Sequence, residues 1–223
     1  MKKDARNTIV ILTDVRFWHR GTGAQQRIYV MVRYLMDCGF DVVTLLATTT
    51  ADPRTDSTLA GERQRIRELG LDIQSLFEDW RPEGWFAGVI WEIKCIVNWL
   101  RGGTRKRPPK PPSPRYLKGF ELPVLTPRFQ QMLRQINPDA VIVEYVTLAW
   151  LIDQSARSGN RQLLVDTHDL LSERDRQFRE FGHEHWIRIS SEEEANALSQ
   201  FDTVIAIQPH EAATFRQMVP DSV

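Results

Sequence analysis

The chain has 223 residues, 26% charged and 42% hydrophobic, with 29 basic and 29 acidic side chains and a formal net charge of zero. That length and balance suit one large globular domain or two small ones, and zero net charge excludes a global pull toward nucleic acid or acidic lipid. The two cysteines, Cys38 and Cys95, stand outside any C-x-x-C spacing, which argues against a disulfide framework and for a reducing cytoplasm.

Met1 to Thr8 is polar and lacks the apolar stretch of a signal peptide, and no run reaches the roughly 20 apolar residues of a bilayer span. Thr8–Thr13 is a β-branched apolar run, the mark of a strand buried on both faces. After a loop from Asp14 to Gly23, Ile28, Val32, Leu35 and Met36 recur on one helical face, and Gly39 supplies a stop. Asp41–Leu46 is a second buried strand, completing a βαβ unit. A helix is predicted over Ser57–Leu69 and a weak strand over Leu71–Leu76. Residues 80–125 break the rhythm. Beyond them the pattern predicts a helix over Pro127–Gln135, a strand over Asp139–Glu144, and a helix over Leu148–Arg157. A strand over Gln162–Asp166 follows, then a long helical stretch from Arg174 to Ser199 broken near Gly182. Last come a strand over Thr203–Ile207 and a helix over Pro209–Met218.

No internal repeat is present. Strands alternating with helices predict a Rossmann-like α/β domain, an open parallel sheet with helices on both faces. Ligands of such sheets sit at the carboxyl ends of the strands. The loops that matter are therefore Asp14–Gly23, Glu144–Thr147, Asp166–Arg174 and Gln208–Glu211. In the first of them, Gly21-Thr22-Gly23 lets backbone approach a ligand closely, and the following helix N-terminus suits a phosphate. The loop is neither G-x-G-x-x-G, because Gln26 stands at the third glycine, nor a Walker loop.

Val10-Ile11-Leu12, then Gly21-Thr22-Gly23-Ala24-Gln25-Gln26-Arg27, then Gly39-Phe40-Asp41-Val42-Val43, resembles the opening of the group 1 (family 4-like) glycosyltransferases. Thr22, Gln26 and Phe40 depart from the commonest residues there. Pro138-Asp139-Ala140-Val141-Ile142-Val143, Val165-Asp166-Thr167-His168-Asp169-Leu170 and the stretch Glu193–Glu211 are similar to later segments of that family, in order. The resemblance implies the N-terminal, acceptor-side half of a GT-B fold across residues 1–223, the donor-binding domain being absent and the isolated half inactive. It implies transfer of a sugar from a nucleotide-sugar donor to a hydroxyl acceptor, lipid- or polysaccharide-linked, with retention of configuration and no required metal or cofactor.

The resemblance places His168 against the donor sugar as the catalytic candidate, at the carboxyl end of a buried strand. An imidazole there donates to or accepts from a hydroxyl. Gly21, Thr22, Gly23, Tyr145, Thr147, Asp169, Glu173 and Arg174 are the candidate donor- or acceptor-binding residues. Asp166 and Asp169 also read as loop-fixing carboxylates, and Glu173 and Arg174 as local helix-start partners. Many family members carry a histidine where this chain reads Glu144-Tyr145, and the bland reading of that pair is an exposed loop. His183-Glu184-His185 does not make a metal site, because i, i+2 residues do not share a helix face. Glu192-Glu193-Glu194 reads as a solvated helix face.

Residues 85–100 carry an apolar helical stripe with Trp85, Trp91 and Trp99. A proline-rich basic segment with Arg105, Lys106 and Arg107 follows. Together they read as a peripheral contact with the inner face of a membrane, or as a helix packed on the sheet followed by a linker. Nucleic acid is not expected as a partner, since aromatic residues do not interleave with the basic ones. Two rival functions stand beside the transferase: a stand-alone nucleotide-binding Rossmann enzyme, and a membrane-associated interaction domain without catalysis.

Overall fold

The computed structural model describes residues 7–47, 54–76, 115–153, 156–157 and 160–222. Six strands form one sheet: β1 (Thr8–Thr13), β2 (Asp41–Leu46), β3 (Asp72–Ser75), β5 (Ala140–Glu144), β6 (Gln162–Asp166) and β8 (Thr203–Ile205). Their order is β3-β2-β1-β5-β6-β8, and every neighbouring pair is parallel. The chain builds outward from β1 in one direction, then returns to build outward on the other side. The crevice between β1 and β5 is the point where ligands of such sheets bind.

Each central strand is apolar throughout because both of its faces are covered. Val10 and Leu12 of β1 join Val43, Leu45, Val141 and Val143 in one core, while Ile9, Ile11, Val42 and Ile142 join the other. The alternation is the period of the pleat. The first core packs on α3 (Thr126–Ile136) through Phe129, Met132 and Leu133. The second packs on α1 (Gly23–Asp37) through Ile28 and Val32, and on α2 (Arg54–Glu68) through Leu59 and Ile66. Each such fully buried side chain stabilises the fold by about 1.5–3 kcal/mol. Gly39, at φ +91°, turns the chain out of α1 into β2, a conformation that disfavours any side chain.

Two expectations need correction. The helix expected over Leu148–Arg157 is a short 3-10 helix, Val146–Leu151. Val146, Thr147, Leu148, Ala149 and Leu151 are all buried. With scarcely any solvent-facing residue, the segment has no polar side for a surface helix to present. The long stretch to Ser199 is two helices, α4 (Leu171–Glu180) and α5 (Ser191–Leu198), with a strand, β7 (Ile187–Arg188), between them. Gly182 at φ +74° interrupts it as expected. The second start was missed: the Ser190 hydroxyl accepts from Glu193 N at 3.1 Å, and the Glu193 carboxylate accepts from Ser190 N at 2.8 Å. That reciprocal box begins a new helix.

The irregular segment ends in order. β4 (Arg115–Tyr116) pairs in parallel with β7, and two 3-10 turns after it bury Phe120 and Leu125. Residues 77–114 lie outside the described residues, and with them Trp85, Trp91, Trp99, Arg105, Lys106 and Arg107. Among the described residues, no helix is long and apolar enough to cross a membrane. The chain closes on α6 (Pro209–Met218), with proline in its first turn.

Candidate functional site

The carboxyl ends of β5 and β6 each carry an acidic residue, Glu144 and Asp166, and the register pairs them directly. Neighbouring parallel strands stand roughly 4.8 Å apart, so two carboxylates meet at the top of the sheet, both fully buried. Each is given a different partner.

Asp166 is held by Arg27 of α1, whose Nε donates to Oδ2 at 2.9 Å and whose Nη2 donates to Oδ1 at 2.8 Å. This two-pronged geometry is the strongest guanidinium–carboxylate arrangement, and it holds the Arg27 guanidinium more firmly charged. Glu144 lies against His168, with Oε2 and Nε2 sharing a hydrogen bond of 2.5 Å. Burial pushes the Glu144 carboxyl up from its ordinary 4.5 to about 7; the bond to His168 opposes this, and the negative field of Asp166 adds to it. Glu144 Oε1 has no hydrogen-bond partner among the described residues.

The ring of Tyr145 stacks on that of His168, with centroids 4.3 Å apart and planes 12° from parallel. Burial, with Asp169 and Asp14 nearby, pushes the Tyr145 phenol up to about 12, so it stays a neutral hydroxyl at neutral pH. Tyr145 and His168 are also left-handed non-glycine residues, at φ +72° and +58°. Such conformations cost roughly 1–3 kcal/mol each and persist where the surroundings over-determine them. Here the stacked rings, the Glu144 bond and the hydrogen bond from Tyr145 N to Asp166 O at 3.0 Å do so. The cluster is therefore a stiff, buried polar platform at the carboxyl edge, with His168 presented beside it.

Glu144, Asp166 and His168 each offer a ligand atom within 4.8 Å of the others, and one imidazole with two carboxylates is a donor set for a transition metal. The fit is poor. A cation would displace Arg27 from both oxygens of Asp166, or sit beside a fixed positive charge.

The glycine loop caps the helix that follows it. The Thr22 hydroxyl accepts from Gln25 N at 3.3 Å, while Gln25 Oε1 accepts from the amides of Gly21 at 2.7 Å and Thr22 at 3.2 Å. Two of the loop's amides are thus engaged in capping α1. A side chain at Gly23 would meet nothing within 4 Å, so space remains open at that point.

Of the other sequence candidates, Thr147 is buried in its 3-10 turn. Asp169 pairs with Arg174, and Glu173 with Arg176 and Gln177. All four of Asp169, Glu173, Arg174 and Gln177 line a pocket at the start of α4. The reading of Glu192–Glu194 as wholly solvated is corrected at Glu194, which is 1% exposed and accepts from Leu171 N at 2.9 Å and Ser172 N at 2.8 Å. Those are orphan first-turn amides of α4, capped from another helix. The reading of Glu144 as an exposed loop residue is corrected likewise, and Asp166 binds Arg27 rather than loop amides. The signal that could have found the pair was one acidic residue ending each of two apolar strands. Arg27 carried no signal of its own beyond its place after the glycine loop.

The family described as glycosyl transferase 4-like domain matches residues 22–223. No curated protein matches the chain. Among solved structures, sucrose-phosphate synthase from Thermosynechococcus elongatus superposes with a TM-score of 0.54 at 14% identity, over 96% of this chain and 45% of that one. UGT73P12 of Glycyrrhiza uralensis, complexed with glycyrrhetinic acid 3-O-monoglucuronide, gives 0.45 at 11% identity over 97% and 48%. Glycosyltransferase VinC in complex with DTDP gives 0.40 at 13% over 97% and 45%. At this identity the first match speaks for the fold alone. The chain spans less than half the length of each of these three proteins.

Proposed function

The chain belongs to the glycosyl transferase 4-like domain family, and from that premise we propose that it is the acceptor-side half of an enzyme moving a sugar from a nucleotide-sugar donor to a hydroxyl acceptor. The observation that carries the reading is the buried Glu144–His168 pair at the carboxyl ends of β5 and β6, next to the reversal of strand order. Glu144 and Tyr145 fix the plane of the imidazole, so His168 meets the donor sugar as a preset hydrogen-bonding group. As the anomeric carbon gains positive character and the diphosphate leaves, that preset group needs no reorganisation. Transfer with retention, and neutralisation of the diphosphate by basic groups and helix dipoles without a metal, belong to the same proposal.

The test is donor turnover by the native gene product across a set of nucleotide sugars. His168→Ala is expected to lower turnover about 100-fold, the scale of losing one preset transition-state contact. Unchanged turnover in that variant, with the fold intact by circular dichroism, would remove His168 from the mechanism. No consumption of any donor would remove the transferase reading itself.

A further inference from the structure

A groove of about 590 Å³ runs along β3, at the other end of the strand order from β8. Among the described residues β3 is an edge strand, and all four of its residues line the groove. Leu76 N donates to Leu46 O at 3.0 Å. Alternation along a strand then turns the N–H and C=O of Ile73 away from β2, toward the groove. The two walls are helices on opposite faces of the sheet. α2 contributes Leu59, Arg63, Ile66 and Arg67; α3 contributes Arg128 and Met132.

The lining holds three guanidiniums and one carboxylate, Asp72, which already accepts from Gln74 Nε2 at 3.4 Å. Among the described residues, Arg67 and Arg128 pair with no carboxylate. Arg67 Nε donates to the Arg63 carbonyl at 3.3 Å, and Arg128 Nη1 to Gln131 Oε1 at 3.0 Å. Arg67 is exposed and Arg128 half-buried. The positive charge comes from the helices on either side of the edge, not from the strand. A sheet edge bordered in this way suits an extended chain of opposite charge. We propose that the groove takes an extended acidic peptide of another protein, which adds to the sheet beside β3. The proposal goes beyond the transferase reading and does not depend on it.

Spacing selects a peptide over other anions. Arg63 and Arg67 stand one helical turn apart, about 6 Å, and alternate residues of an extended chain about 6.6 Å. Acids at i and i+2 of the peptide therefore meet α2, while the residue between them turns to Arg128 on α3. Three consecutive acids thus meet three guanidiniums, over a strand about 13 Å long. A lone phosphate spans neither both walls nor the backbone of Ile73. A second copy of this chain does not supply the peptide. Its one run of three acids, Glu192–Glu194, lies in the first turn of α5, with Glu194 capping α4.

The experiment is amide-shift mapping by NMR on the full chain with four probes. They are an acetylated, amidated pentapeptide of three glutamates between two valines, its lysine counterpart, the glutamate peptide N-methylated at its glutamates, and pentathymidylate. The glutamate peptide is expected to shift the Ile73 and Gln74 amides saturably and to slow hydrogen exchange at Ile73. The lysine peptide should leave them unmoved. N-methylation keeps the charge and removes the strand-pairing donors, and should weaken binding about tenfold. Arg67→Gln and Arg128→Gln should each weaken it about threefold. Arg67 stands in solvent, so that variant keeps its fold even if Arg128→Gln does not. Pentathymidylate binding with the same shifts and equal affinity would make the groove a general polyanion site and overturn the proposal. Unimpaired binding of the N-methylated peptide would overturn the addition to β3. A glutamate-peptide dissociation constant weaker than about 1 mM, or shifts mapping elsewhere, would overturn it as well.

Discussion

Glu144 and His168 share a buried hydrogen bond of 2.5 Å. The fold removes the Glu144 carboxyl from water and sets Asp166 beside it, which lifts it from 4.5 to about 7 against the opposing bond to His168. The consequence for stability has an unusual sign for a carboxylate. Between the two values the folded chain binds a proton that the unfolded chain has released, so the contribution of Glu144 is full below about pH 4.5 and is lost as pH rises through about 7. The loss amounts to about 3 kcal/mol. Urea unfolding of wild type and Glu144→Gln across that range should show the wild type losing stability relative to the variant by this order. A constant difference would mean that the carboxyl titrates normally. His168 was legible in the sequence because a polar residue just past a buried strand belongs at the ligand edge. Glu144 was not, because its burial depends on which strand lies beside β5, and one strand's pattern does not contain that.

At the scale of elements, long-range ionic contacts fix how the helices sit on the sheet. Arg27 leaves α1, crosses the top of the sheet and clasps Asp166 at the end of β6. Arg27→Ala leaves Asp166 buried and unpaired. The expected loss is about 2 kcal/mol, below that of a fully buried pair because 38% of the Arg27 side chain remains in solvent. Arg27→Ala combined with Asp166→Asn should recover part of it, and additive losses in the double variant would show that the two do not interact. Glu194 holds the start of α4 through two backbone amides. Glu194→Ala should cost about 1–2 kcal/mol and speed hydrogen exchange at Leu171 and Ser172 ahead of the rest of the helix. Uniform exchange along α4 would deny the cap. The strands of the main sheet were readable because burial on both faces leaves a continuous apolar run. The Val146–Leu151 turn was misread for the same reason: a short run buried all round carries no period to separate a helix from an irregular turn. β4 and β7 are two residues each, too short to leave any pattern.

At the scale of the whole molecule, the sheet presents its polar cluster, its glycine loop and the pocket at the start of α4 along one edge, the carboxyl edge. Among the described residues, helices pack on both faces of the sheet. The strand order that gathers these groups could not be read from the sequence, since it depends on where the chain reverses, whereas the alternation of strand and helix could. A nucleotide sugar needs groups for its base and diphosphate as well as for its sugar. Among the described residues the cluster offers one guanidinium, Arg27, and that is already committed to Asp166. On the proposed reading, donor binding therefore draws on a second wall facing this edge. The native gene product is then expected to have an intact mass roughly twice that of this chain, two domains of ordinary size, and to consume a nucleotide sugar that residues 1–223 alone leave untouched. Mass spectrometry of the protein from its source cells and turnover assays of both forms decide the matter together. A native mass equal to that of this chain, with no partner subunit co-purifying, would leave the donor without a second wall, and the two-domain transferase reading would fail.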